Sequence, residues 1–153
     1  MEMLVRILTI VFVALSPYVM ILLHGPVKSL SQYWETPFQP MFIFANAATS
    51  YFFFSTSNWR IPSLLLMLLT AFSVEAYPGI HNALAIGFFI ACAIPLYRAH
   101  HFRYYLYLYL ITAVIVPVNL LVGEVSMIMI LCAYHIQLIL YKHILINRRK
   151  NSN

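Results

Sequence analysis

The chain has 153 residues, 63% of them hydrophobic and 8% charged, with nine lysines and arginines against four acidic residues for a formal net charge of +5. That balance lies far outside a soluble domain and marks an integral membrane protein, with no soluble basic face to offer a nucleic acid. Its two cysteines, Cys92 and Cys132, fall inside apolar runs, which argues against a disulfide framework or a zinc site of spaced cysteines.

Apolar stretches near the ~20 residues that cross a bilayer predict an all-α, polytopic bundle with spans at 4–23, 40–57, 61–77, 79–97, 104–122 and 125–146, forming one domain over 1–153. The first run begins at Arg6 in the manner of a signal peptide, but Pro17 interrupts it and no small-residue cleavage site follows, so it reads as a retained span. After it comes the longest polar connection, Gly25 to Gln39. Within this loop Ser31, Tyr33 and Trp34 form either a lid across the bundle mouth or an aromatic belt at the membrane interface, with Pro37 and Pro40 favouring an extended path.

In the second span Asn46, Thr49, Ser50, Phe53 and Ser57 share a helical face, and small hydroxyl side chains of this kind let helices approach closely. Thr70 and Asn119 are their expected partners. The third and fourth spans are separated only by Tyr77-Pro78-Gly79. Even so, the 36 residues from Pro62 to Tyr97 would make a helix of about 54 Å, too long for one ~30 Å hydrocarbon core, so a tight hairpin is expected. The fifth span opens with Tyr104, Tyr105, Tyr107 and Tyr109, a surface for a larger partner or an interfacial anchor. In the sixth, Glu124, His135 and Lys142 fall within about 20° on one face at ~100° per residue. Lys142 and Glu124 can reach opposite membrane surfaces, which leaves His135 near mid-depth as a neutral imidazole bonded to a neighbouring helix.

With six spans, Arg6, Arg60, Arg98, Arg103 and the Arg148-Arg149-Lys150 run all fall on one side, while Lys28, Glu35, Glu75 and Glu124 fall on the other. Because cytoplasmic loops collect lysine and arginine, both termini are expected in the cytoplasm. The opposite side then holds His24, Glu75, His81, Asn82, Asn119 and Glu124 at similar depth, a candidate polar pocket. Two carboxylates and two imidazoles suit a divalent cation or acid–base work on an acyl or phosphoryl group, although the spacing is not a metal signature and a helix-capping role serves these residues equally. No cofactor is expected. A haem would need a second histidine facing His135 at its depth, and His81 lies near the outer edge.

One set of short motifs resembles a known family. Ser31, Tyr33, Thr36 and Phe42 around the first loop, His81 with Phe88 and Phe89 in the fourth span, and Gly123-Glu124 opening the sixth are similar to the pattern in the six-span family of GPI-anchor post-attachment factor 2, the damage-regulated autophagy modulators and their bacterial relatives. The resemblance implies a six-span bundle with cytoplasmic termini and a role in lipid remodelling or in lysosomal membranes; it implies no catalytic mechanism. The chain departs from the family at Val125, where an aromatic residue often follows the glutamate, and in its shorter first loop. The expected function is handling of a lipid or lipid-anchor headgroup at the external polar pocket, with membrane lipids as partners. A non-catalytic scaffold or accessory subunit bound to other membrane proteins is the alternative, and a small transporter is less favoured for want of an inverted repeat. Compact loops and the lack of a soluble domain point to a bacterial inner membrane.

Overall fold

The computed structural model describes residues 2–151, and every regular element among them is helical. Six α-helices follow in chain order: α1 (Glu2–His24), α2 (Gln39–Phe54), α3 (Arg60–Ala71), α4 (Pro78–Arg98), α5 (Arg103–Ile115) and α6 (Leu120–Asn151). Short 3-10 turns at Leu30–Glu35, Ser57–Trp59 and His100–Phe102 lie between them. Three helical stretches, Met3–His24, Pro78–Arg98 and Leu120–Ile146, are long and apolar enough to cross a membrane. The 16, 12 and 13 residues of α2, α3 and α5 make rods of about 18 to 24 Å, shorter than a ~30 Å hydrocarbon core.

Each helix packs against the next, and α6 closes the ring by packing on α1. The main core fills the ring, with Ile10 and Val13 from α1, Phe52 and Phe53 from α2, Leu66 from α3, Phe88 and Leu96 from α4, Tyr109 from α5 and Leu131 from α6. A second, smaller cluster of Met20, Leu30, Tyr33, Phe42, Leu121 and Val125 joins the first loop to α1, α2 and α6. Large apolar side chains on the outside, among them Leu22, Tyr51, Ile86 and Val114, are left exposed as lipid-facing positions would be.

Local chemistry sets the helix ends. Gly25, at φ 97°, ends α1 in a left-handed conformation that glycine adopts without steric cost, and its N–H closes on the Ile21 carbonyl at 2.9 Å. Helix α3 stops at Ala71, short of the 61–77 read from the sequence, because Phe72 turns extended and the Ser73 hydroxyl accepts the Ala76 N–H at 3.0 Å. Helix α5 likewise ends at Ile115 and not at 122. Pro117 has no N–H to extend the ladder, so the chain turns. The Asn119 side-chain oxygen then accepts the Val122 N–H at 3.1 Å, starting α6 at Leu120, five residues before the expected start. Glu124 therefore belongs to the second turn of α6.

Candidate functional site

The first loop is folded down onto the bundle. Leu30, Ser31 and Tyr33 are buried and Trp34 is half-buried, its ring edge-on to Phe42 at 6.4 Å. Tyr33 donates its hydroxyl to the Gly25 carbonyl at 2.8 Å, and burial holds its phenol above the usual tyrosine range, so it stays a donor. The loop is tied to the far end of the sequence by one bond: the Leu30 N–H donates to the Glu124 carboxylate at 2.7 Å. Glu124 is itself buried, so this bond is formed out of water, where an unmade partner would be costly.

Beneath this plug lies a cavity of about 70 Å³ between α1, α2 and α6, touched also by Leu66 of α3 and Phe88 of α4. Its lining runs from Met20, Leu30 and Phe42 at the loop end to Thr9, Phe53 and His135 at the other. Thr9 and Met20 are eleven residues apart on α1, about 16 Å at ~1.5 Å per residue, so the space is long and narrow. A typical ligand pocket holds ~300–1,000 Å³; this one is several times smaller and has no room for a bulky headgroup. The hydroxyls of Thr9, Ser16 and Thr49 are bonded back to their own helix, to Val5, Val13 and Ala45. Asn46 makes no side-chain hydrogen bond among the described residues, and no charged side chain lines the space.

His135 forms the inner end. It is 2% exposed and boxed by Phe53, stacked at 4.9 Å, Trp59 at 4.5 Å and Phe52, edge-on at 5.1 Å. Its Nδ1 lies 2.8 Å from the Leu131 carbonyl of its own helix, and a carbonyl only accepts, so Nδ1 carries the proton. Nε2 is buried without a hydrogen-bond partner. The sequence led to a bond with a neighbouring helix near mid-depth. Instead the ring bonds to α6 and sits level with Trp59, which belongs to the connection between α2 and α3.

The six residues expected in one external pocket differ in burial and in partners. Glu75, Asn82, Asn119 and His24 are exposed, while His81 and Glu124 are buried with different partners. His81 Nδ1 lies 2.6 Å from the Phe72 carbonyl and fastens the turn between α3 and α4. His24 faces the rings of Tyr33 and Phe38 at 5.9 and 6.0 Å, and Asn119 caps α6. Among the described residues no three histidine, cysteine or acidic side chains stand close enough to hold a metal ion. Of the second-span residues, Asn46 and Thr49 line the cavity, but Ser50 turns to α3, where it and Ser63 donate to each other's carbonyls at 2.8 and 2.7 Å. Neither Thr70 nor Asn119 is its partner: Thr70 bonds to Leu66 of its own helix. Of the four tyrosines opening α5, Tyr104 and Tyr105 donate to Gln137, Tyr109 is buried against the Phe89 carbonyl, and Tyr107 faces outward.

Reading the sequence missed Leu30, whose contribution is a backbone N–H and leaves no side-chain signature. It also missed the box around His135. Phe52, Phe53 and Trp59 stand about 80 residues from it, and no periodicity links them. The aromatic pair ending one span and the tryptophan opening the next were the available signal. Compared with family models, with curated proteins and with solved structures, the chain matches none.

Proposed function

We propose that this is a six-span protein of a bacterial inner membrane, with both termini in the cytoplasm, that binds one lipid chain in the slot between α1, α2 and α6 beneath the first loop. The observation that carries the reading is the slot itself: narrow, apolar, about 16 Å long, closed at one end by a loop that a buried carboxylate holds down. Thr9, Asn46 and Thr49, which are only half-buried, flank the seam between α1 and α2 and mark the side from which a chain would enter. The first loop is the closure, and Glu124 is its latch. The motif resemblance to the family of GPI-anchor post-attachment factor 2 supports a lipid role, and we propose that kinship on the motifs alone.

The test is lipid retention. Full-length protein purified in mild detergent is expected to carry a defined lipid at one per chain, read by native mass spectrometry. Ala45→Leu, which places a side chain into the slot, is expected to lose it while keeping the helical spectrum. Equal retention by both proteins would remove the slot as the site. A stoichiometric protein partner in place of lipid would point to the accessory-subunit role.

A further inference from the structure

We infer that the open groove between α2 and α3, on the outer face of the bundle, binds an anionic phospholipid, with the phosphate at Arg60 and one acyl chain lying along the groove. This is a second site, and it does not rest on the slot reading. The groove measures about 640 Å³, within the ~300–1,000 Å³ of an ordinary ligand site. Its walls are Tyr51 and Phe54 of α2 and Leu64 and Met67 of α3, all exposed, while Ala47 and Ala71 keep the floor low. The hydroxyls of Ser50 and Thr70 in the lining are already spent on the Ser63 and Leu66 carbonyls. What they leave is an apolar surface that suits an acyl chain.

The rim supplies the charge. Phe54 ends α2 and Arg60 opens α3, and the Arg60 guanidinium stands over the Phe54 ring, 5.9 Å from its centre. A ring face holds the cation without accepting any of its N–H groups in an ordinary hydrogen bond, so they stay free for a phosphate, which a guanidinium meets in bidentate fashion. Arg60 has no carboxylate partner among the described residues. Tyr51, one turn before Phe54, likewise makes no side-chain hydrogen bond among the described residues and offers a donor to a phosphate or ester oxygen. From Phe54 back to Ala47 the groove runs about 10 Å, so a lipid with its head at Arg60 directs its chain toward the middle of the bilayer. A second copy of this chain suits the face less well. Packed here about a two-fold axis along the membrane normal, it would bring Arg60 to the level of Arg60, while Glu35, Glu75 and Glu124 stand at the other end of the helices.

The experiment compares two lipids with the same diazirine-bearing chain, a phosphatidylglycerol and a phosphatidylcholine, in phosphatidylcholine nanodiscs holding the full-length protein, with adducts mapped by peptide mass spectrometry. A basic residue at the membrane surface corresponds to roughly fivefold in preference for an anionic lipid. Phosphatidylglycerol is therefore expected to label residues 47–54 and 64–71 about five times more strongly than phosphatidylcholine, with the exposed face of α4 at Ile86 and Ile90 as the reference. Arg60 and Ala47 are both exposed, so variants there should fold. Arg60→Gln should lower phosphatidylglycerol labelling to the phosphatidylcholine level, while Arg60→Lys, which keeps the charge, should retain most of the preference. Ala47→Phe, which fills the groove, should bring both lipids down to the α4 level. Ala45→Leu, which enters the slot, should change neither. Equal labelling by the two lipids in the wild-type protein overturns the anionic head, and labelling that survives Ala47→Phe overturns the groove as the site. Loss of groove labelling in Ala45→Leu would overturn its independence from the slot. A dimer by native mass spectrometry that Ala47→Phe breaks would give the face to a second copy and overturn the lipid.

Discussion

At the scale of single residues, the bond between Glu124 and the Leu30 N–H separates charge from hydrogen bonding as the source of the loop's stability. The carboxylate is buried and receives one backbone donor. Glu124→Gln keeps an oxygen of the same reach, so the Leu30 N–H still has an acceptor and the buried charge is gone. Glu124→Ala removes the acceptor and leaves that N–H orphaned, at a cost of ~1–3 kcal/mol. The expected outcome is that hydrogen exchange and proteolysis across residues 26–38 stay near wild type in Glu124→Gln and rise about tenfold or more in Glu124→Ala. A loop that loosens equally in both variants would show that the charge, and not the acceptor, holds it.

At the scale of elements, the turn between α5 and α6 leaves no room for change. A Cβ on Gly123 would stand 2.6 Å from the Val116 Cγ2, and also 2.9 and 3.0 Å from the Val116 Cα and N. Two of these three neighbours are backbone, so side-chain movement cannot relieve the overlap and the turn itself must shift. Gly123→Ala is expected to lower stability by ~1–3 kcal/mol, read as a fall in melting temperature in detergent. Val116→Ala in the same chain should recover only part of it, since the backbone neighbours remain. Complete recovery would mean that the Val116 methyl alone made the contact. The elements were also where the sequence was most legible. Length and apolar character located the helices, and Tyr77-Pro78-Gly79 located the hairpin, because proline at the first helical position favours a start there. The ends of α3 and α5 were less legible, since apolar residues continue through Phe72 and Val118 while Ser73, Pro117 and Asn119 redirect the backbone beneath that pattern. For the candidate site the limit was different. Helical phase placed Glu124 and His135 on one buried face of α6 but could not say that a backbone N–H 94 positions away, or an aromatic box from another helix, would meet them.

At the scale of the whole molecule, three helices are long enough to cross a bilayer and three are short, so the proposed six crossings need the short ones to reach both surfaces. The exposed tyrosines support that reading. Tyr51, Tyr97, Tyr104 and Tyr107 stand at the helix ends nearest Arg60, Arg98 and Arg103, while Tyr18 and Tyr77 stand toward the opposite end, as aromatic belts at two interfaces would. A shortfall of several ångströms in α3 is then met by its flanking turns and by local thinning of the bilayer, at fractions of a kcal/mol per ångström. The two native cysteines are buried, Cys92 fully and Cys132 at 7% exposure, so single introduced cysteines can report sidedness without interference from them. In spheroplasts, Lys28→Cys and Glu75→Cys are expected to react with a membrane-impermeant maleimide, whereas Arg60→Cys and Arg98→Cys react only after permeabilisation. The decisive pair is Arg60 and Glu75, because only α3 lies between them. Opposite labelling means that its 12 residues carry the chain across. Labelling from the same side means that α3 dips into the membrane and returns, which would make α2 and α4 run in opposite directions and dismantle the six-span ring.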